Sequence, residues 1–354
     1  MNLRTLSMLV VSALLILTCS VLVPSADAAA DQTYRGQLDD NAAGLFDELS
    51  ATFGSAEPAE TLEIKYVFKD PVLFGEENEA RAYALETVRA ALAAYYLTDP
   101  SPIWLWNLPA SPVDEADVTR TVIPVTITYD GIKVYQVPYT VTFTLSVPEK
   151  YKADPAKAVS EVKEKMQTFE GTVREKATGI NDILRNVKSA TDKDGEVGNI
   201  HDALVSGSSS SAGVAAAFTV LAKASGLEAF TVAGQVMTGD GSATETGYWN
   251  VVKDEDGWYA VDSTRNGSSW RNCLLAGVTT QIDLAGQQER FGATHTADVF
   301  FLGARLNAPQ ISSSGYDWPD DRSLVDKYGT YVFGAVIAVI IVATLLHAVR
   351  RGDI

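Results

Sequence analysis

The stretch HDALVSGSSSSAGVAAAFTVLAKASG, residues 201–226, puts a hydroxyl, Ser211, at the head of a run of small residues long enough for a buried helix. A hydroxyl attacks an acyl carbonyl only when a general base stands within about 3 Å of it. Downstream, Trp258-Tyr259-Ala260-Val261-Asp262-Ser263-Thr264 closes a strand pattern on a carboxylate, the group that orients an imidazole base in a triad. The base is the missing piece. The chain has three histidines, and His347 falls in an apolar run near the C-terminus, leaving His201 and His295. His201 reads as a packing residue with a backbone hydrogen bond. His295, in FGATHTADVFFLG, reads as a surface-loop or hydrogen-bonded core residue and is also the candidate recruited base. Ser210 and Ser211 have a plainer role, favoured here over that of nucleophile: accepting N–H bonds at the helix start.

The surrounding periodicity supplies the elements that must position these groups. QLDDNAAGLFDELSATFG (37–54) has Leu38, Ala42, Leu45, Phe46 and Leu49 at helical spacing, with Asp39 or Asp40 as cap. TLEIKYVF (61–68) alternates like a half-buried strand, and residues 77–97 return to helical spacing. Residues 119–147 are rich in Val, Ile, Thr and Tyr, with Asp130-Gly131 at a hairpin turn. From Asp154-Pro155 a long polar helix is expected to reach about Ala177, with Val159, Val162, Met166, Phe169 and Val173 on its inner face; a domain boundary is placed near residue 150. One or two short helices then lead to the small-residue helix 212–226, which ends at Gly226. Three strands follow: LEAFTVAGQVM, GYWNVVKDEDG and WYAVDST, the last two a hairpin across Asp256-Gly257.

This order resembles the transglutaminase-like domain, a branch of the papain-like cysteine peptidase fold. In that family a Cys-x-Gly-x-Ala segment opens the core helix, a strand brings His followed closely by Trp-Asn, and the next strand ends in Asp before Ser or Thr. Here the three segments read Ser211-Ala212-Gly213-Val214-Ala215, Gly247-Tyr248-Trp249-Asn250 and Val261-Asp262-Ser263-Thr264. The resemblance is close over about residues 195–266 and implies an α+β fold. Its core would be a central helix packed on an antiparallel sheet, joined to an N-terminal α/β extension and one C-terminal transmembrane helix. It also implies that Ser211, Gly247 and Asp262 occupy the triad positions, with the thiol and the imidazole both replaced. A thiol readily becomes a thiolate at a helix N-terminus beside histidine, whereas a serine alkoxide is far less accessible. Gly247 offers no base, so no catalytic residue is expected, and Tyr248, Trp249, Asn250 and Trp258 become candidate walls of a binding groove.

The ends place the chain. Arg4, an apolar run from Leu6 to Val23 and small residues to Ala30 read as a secretory signal over residues 1–30. YVFGAVIAVIIVATLLHAV, within a span placed at 329–349, is apolar all round and long enough at about 1.5 Å per residue to cross a core of about 30 Å. Arg350 and Arg351 then favour a cytoplasmic tail at 350–354. The expected product is a single-pass cell-membrane protein with residues 31–150 and a transglutaminase-like domain at 151–320 outside. Of two cysteines, signal removal leaves Cys273, so no internal disulfide is expected.

The chain carries 45 acidic and 28 basic residues, a net charge of −17, which argues against nucleic acid. Three histidines cannot build a histidine-based zinc site, and the TDKDGE segment lacks carboxylates at the first and last places of a calcium loop, where Ala190 and His201 would stand. No metal or cofactor is expected. The function read from the sequence is a catalytically inactive surface protein that binds another surface protein, a peptide or an envelope polymer. The alternatives are an acyl-transfer or peptide-hydrolysing enzyme using Ser211 with a recruited base, and a structural spacer at the cell surface.

Overall fold

The computed structural model describes residues 33–68, 72–101, 104–106, 125–129, 132–136, 140–190, 199–255, 257–264, 273–284, 286–298 and 300–318. The expected signal, membrane span, cytoplasmic tail and TDKDGE turn lie outside these residues. Among the described residues no helix is long and apolar enough to cross a membrane.

The chain mixes helices and strands around a core of one helix on an antiparallel sheet. In the N-terminal part, helix α1 (Asp40–Ser55) starts where the Asp39 carboxylate accepts the Ala42 N–H. It packs on α2 (Glu77–Thr98), and the stripes of both meet through Phe46 and Tyr95, whose rings lie 5.2 Å apart. Strand β1 (Thr61–Val67) pairs antiparallel with β5 (Thr140–Ser146), and β2 (Leu73–Phe74), β4 (Ile132–Gln136) and β3 (Val125–Tyr129) form a second small sheet. Strands β3 and β4 pair with Tyr129 opposite Ile132, and the expected Asp130-Gly131 turn lies outside the described residues.

The long polar helix expected from Pro155 to about Ala177 is instead two helices, α3 (Pro155–Lys165) and α4 (Val173–Leu184). Met166 is extended, Gly171 takes φ 105°, and Thr172 with Glu175 forms a reciprocal capping box that starts the second helix. The break turns Phe169 inward, where Ser225 Oγ accepts its backbone N–H at 3.0 Å and Gly179 leaves room for its ring. A helical stripe cannot see this, because Phe169 fits the spacing of either arrangement.

Two short strands, β6 (Lys188–Ser189) and β7 (Ser208–Ser209), pair in parallel on either side of a single π-type turn at Asp202–Ser206. Helix α5 (Ser211–Ala224) follows and packs on β8 (Ala229–Met237) and β9 (Thr244–Asp254). With β10 (Gly257–Val261), β11 (Leu274–Ala276) and β14 (His295–Ala297) these make a five-stranded antiparallel sheet in the order β11-β10-β9-β8-β14. Strands β12 (Gln281–Leu284) and β13 (Gln287–Arg290) form a hairpin, as do β15 (Phe300–Phe301) and β16 (Ala304–Arg305).

Strand alternation assigns the two faces of this sheet. Thr231 and Asn250, paired across β8 and β9, face α5: the Asn250 amide donates to Ala215 O at 2.8 Å and Thr219 Oγ1 at 2.9 Å, and Thr219 bonds Thr231 at 2.9 Å. Phe230 and Trp249 therefore face the other way. There Tyr34 of the N-terminal segment meets Phe230 edge-on at 5.8 Å and donates its hydroxyl to Thr231 O at 2.9 Å. Coverage from both sides explains why β8 is buried continuously from Ala229 to Gly234 instead of alternating.

Candidate functional site

Ser211 is the first residue of α5, partly exposed, and makes no side-chain hydrogen bond among the described residues. The capping role expected for the serines is not realised: Ser210 has the extended backbone of an N-cap, but no side-chain cap bond forms there.

Asp262 leaves the end of β10 with its N–H bonded to Cys273 O at 2.8 Å. Its Oδ1 accepts from the Thr264 N–H at 2.9 Å and the Thr264 hydroxyl at 2.5 Å. Its Oδ2 faces His295 Nε2 at 3.1 Å, and both side chains are closed to solvent, with 0% of the histidine's and 2% of the aspartate's exposed. The carboxylate expected to have nothing to orient thus holds an imidazole, brought by β14 instead of β9. The four-residue helix Phe291–Thr294 makes this delivery, setting Phe291 and His295 one turn apart with their rings stacked at 3.9 Å and 7°. The Trp249 ring meets the imidazole edge-on at 5.3 Å.

The other ring nitrogen is also engaged. Thr294 Oγ1 lies 2.8 Å from His295 Nδ1 and 3.0 Å from Phe291 O. A carboxylate only accepts, so Nε2 carries a proton toward Asp262. The threonine hydroxyl has one proton: given to Nδ1, it occupies that nitrogen's lone pair; given to Phe291 O, it leaves Thr294 Oγ1 facing Nδ1 as an acceptor. Either way Thr294 Oγ1 stands 2.8 Å from Nδ1, on the side where a proton from Ser211 would have to arrive.

The glycine at 247 has a packing cause. Register places it opposite Gly234, and a Cβ at 247 would stand 2.9 Å from Val236 Cβ and closer still to its Cγ2. A Cβ at 234 would reach 2.7 Å from the Trp249 ring and 2.9 Å from Ala297 Cα. Gly234 lets β14 close on β8, where Ala297 pairs with Gly234 and His295 with Val236.

Of the four groove candidates, Asn250 (1% exposed), Trp249 (4%) and Trp258 (6%) are interior, so they build core and not an open wall. Trp258 stacks on Phe230 at 5.1 Å beneath the cover of Tyr34. Tyr248 is half-buried against Phe301 at 6.1 Å, and burial, followed by the nearby Asp298, pushes its hydroxyl up to about 12. His201 takes a side-chain partner where a backbone one was expected: its Nε2 lies 2.9 Å from Glu161, and its ring sits between Trp104 and Tyr151. That hydrogen bond is the main cause holding the Glu161 carboxyl below its ordinary value.

Thr294, Phe291 and Val236 are the site residues that sequence reasoning missed. The hydroxyl directly before His295 was the only signal, and it acquires meaning only once the ring's other nitrogen is placed. Among the described residues no group of His, Cys, Asp and Glu side chains could hold a metal.

Residues 160–263 match the model of the Transglutaminase-like superfamily. No curated protein is matched by the chain. Among solved structures, one described as a TGase is similar at 13% identity over 44% of this chain and 51% of that one, with a TM-score of 0.23. A "Putative Cysteine Protease from Cytophaga hutchinsonii" is similar at 12% identity over 42% of this chain and 63% of that one, TM-score 0.23. A "putative protease from Parabacteroides distasonis" is similar at 12% over 73% and 49%, TM-score 0.25. The chain thus spans about half to three fifths of these structures' length. The family match ends at Ser263, so the core helix, the β9–β10 hairpin and Asp262 lie inside it and His295 beyond it. Residues 160–263, with that helix, hairpin and carboxylate in order, are a transglutaminase-like domain.

Proposed function

We propose that this chain is a membrane-anchored extracellular protein whose transglutaminase-like domain binds a surface protein, a peptide or an envelope polymer and carries out no acyl transfer. The observation that carries the reading is that His295, the imidazole beside Asp262, spends both ring nitrogens on Asp262 and Thr294 in a site closed to solvent. Among the described residues Ser211 has no side-chain hydrogen bond to a base, and a hydroxyl without one is a poor nucleophile. The anchoring and the exterior location rest on the apolar run before Arg350 and on the signal-like first 30 residues.

The test uses the full chain, assayed for acyl transfer from a glutamine peptide to an amine, beside Ser211→Ala and Ser211→Cys variants. The expected result is no turnover in any of the three, with the introduced thiol labelled by iodoacetamide at the rate of an ordinary exposed cysteine. Turnover in the unmodified chain that Ser211→Ala abolishes would refute the proposal.

A second reading is favoured by one specific observation, the 3.1 Å contact between His295 and Asp262, which is half of a triad. For a Ser211 enzyme the ring must first release Thr294, so that Nδ1 can take the serine proton. Thr294→Val, which removes the competing hydroxyl at nearly constant volume, would then raise turnover; under the binding reading it leaves turnover at background.

A further inference from the structure

Away from Asp262, a cleft of about 350 Å³ opens between α2 and the β15–β16 hairpin, floored by the segment that leads into α1. Its volume is at the lower end of the roughly 300–1,000 Å³ typical of small-molecule sites. The hairpin turns on two residues of positive φ, Leu302 at 52° and Gly303 at 77°, the conformation of a tight two-residue turn. Phe300 pairs with Arg305 and Phe301 with Ala304, so the first two side chains share one face and the second two the other. The second face is anchored: Phe301 stacks on Tyr96 of α2 at 5.9 Å. The first face lines the cleft, with Phe300 60% exposed and Arg305 beside it.

The opposite wall presents Tyr83 and Glu86, one turn apart on α2. The polar groups of the floor are already committed. Asp39 accepts from the Ala42 N–H and the Tyr83 hydroxyl, and Gln37 exchanges hydrogen bonds with Asn307. Glu86 and Arg305 differ: both line the cleft, both are exposed, and neither has a hydrogen bond or ion pair among the described residues. Opposite charges on walls fixed by a helix and an anchored hairpin face a shared space without meeting.

We infer that this cleft binds a small zwitterion of amino-acid to dipeptide size with an apolar side chain: its ammonium on Glu86, its carboxylate on Arg305, and its side chain against Phe300. A guanidinium matches a carboxylate through paired N–H donors, and a carboxylate accepts from an ammonium. The inference does not depend on whether the site around Asp262 is inactive, since none of its residues lines the cleft.

The experiment is calorimetric titration of the full chain with Ala-Leu, with leucine, and with the N-acetyl and C-amide forms of Ala-Leu. Saturable binding is expected for the free dipeptide or the free amino acid, the tighter of the two fixing the size of the ligand. Blocking either end, or substituting Glu86→Gln or Arg305→Gln, is expected to weaken binding about five- to tenfold, in keeping with an exposed ion pair of about 1 kcal/mol. Both residues are exposed, so thermal melts of these variants should match the parent, which separates lost binding from lost fold. No saturable binding by either free ligand, equal binding by the blocked forms, or binding that both variants leave unchanged would overturn the assignment.

Discussion

Replacing His295 with alanine removes an imidazole that stands 3.1 Å from Asp262 Oδ2 and 3.9 Å from the Phe291 ring. Asp262 keeps the bonds that its Oδ1 accepts from Thr264, while the contact of Oδ2 with His295 is lost in a site where 2% of the side chain is exposed. Breaking a buried pair by removing one partner costs about 3–5 kcal/mol, because the remaining charge loses its partner without regaining water. With a urea slope of about 2–3 kcal/mol per molar, the unfolding midpoint of the full chain should fall by about 1–2 M. The double variant with Asp262→Ala should be far less destabilised than the sum of the singles, with a coupling of about 2 kcal/mol or more. The assay is urea unfolding followed by tryptophan fluorescence. A His295→Ala variant as stable as the parent would refute the structural role given to this pair. One more stable but stripped of an acyl-transfer activity would show that the imidazole is held for chemistry at the expense of stability.

Gly247→Ala should destabilise by about 1–3 kcal/mol, since the new methyl meets the stiff, buried Val236, and Val236→Ala in the same chain should recover most of the loss in thermal melts. Tyr34→Phe should lower unfolding free energy by about 1 kcal/mol, having lost the bond to Thr231 O that ties the N-terminal segment to β8. Thr172→Ala should cost about 1 kcal/mol and fray the first turn of α4, read by amide exchange there. The Asp240 carboxyl is held down to about 2, chiefly by the Thr238 hydroxyl and then by the Ser242 N–H and hydroxyl. Because this lies below its ordinary 3.8, the stabilisation of the Thr238–Ala243 turn is complete above about pH 4 and lost as pH falls through about 2. Asp240→Asn should remove that acid-range step from a pH titration of the turn's amide shifts; a step that survives the substitution would assign it to another group.

Much of this molecule could be read from residue order. The helices at 40–55, 77–98 and 211–224 follow from apolar spacing, and the β3–β4 and β9–β10 hairpins from Asp-Gly turns between β-branched runs. The segments that the family resemblance sets at triad positions, around Ser211, Gly247 and Asp262, are equally local, being short runs whose neighbours name them. The break between α3 and α4 was hidden, since Phe169 fits a helical stripe and finds its true partners, Gly179 and Ser225, only across a loop. The aromatic residues near the site were read as groove wall because nothing local says that an N-terminal segment, through Tyr34, covers their face of the sheet.

What the sequence alone determined is the loss: no thiol at 211 and no imidazole at 247. What only the tertiary structure decided is what stands there now. A histidine 33 positions beyond Asp262 reaches that carboxylate on an edge strand that closes on the sheet at Gly234. Whether its nitrogens are available depends on a threonine hydroxyl with a single proton to give. Chain patterns report which faces an element presents, whereas hydrogen-bond capacity is settled atom by atom among groups that only the folded chain brings within 3 Å or so of one another.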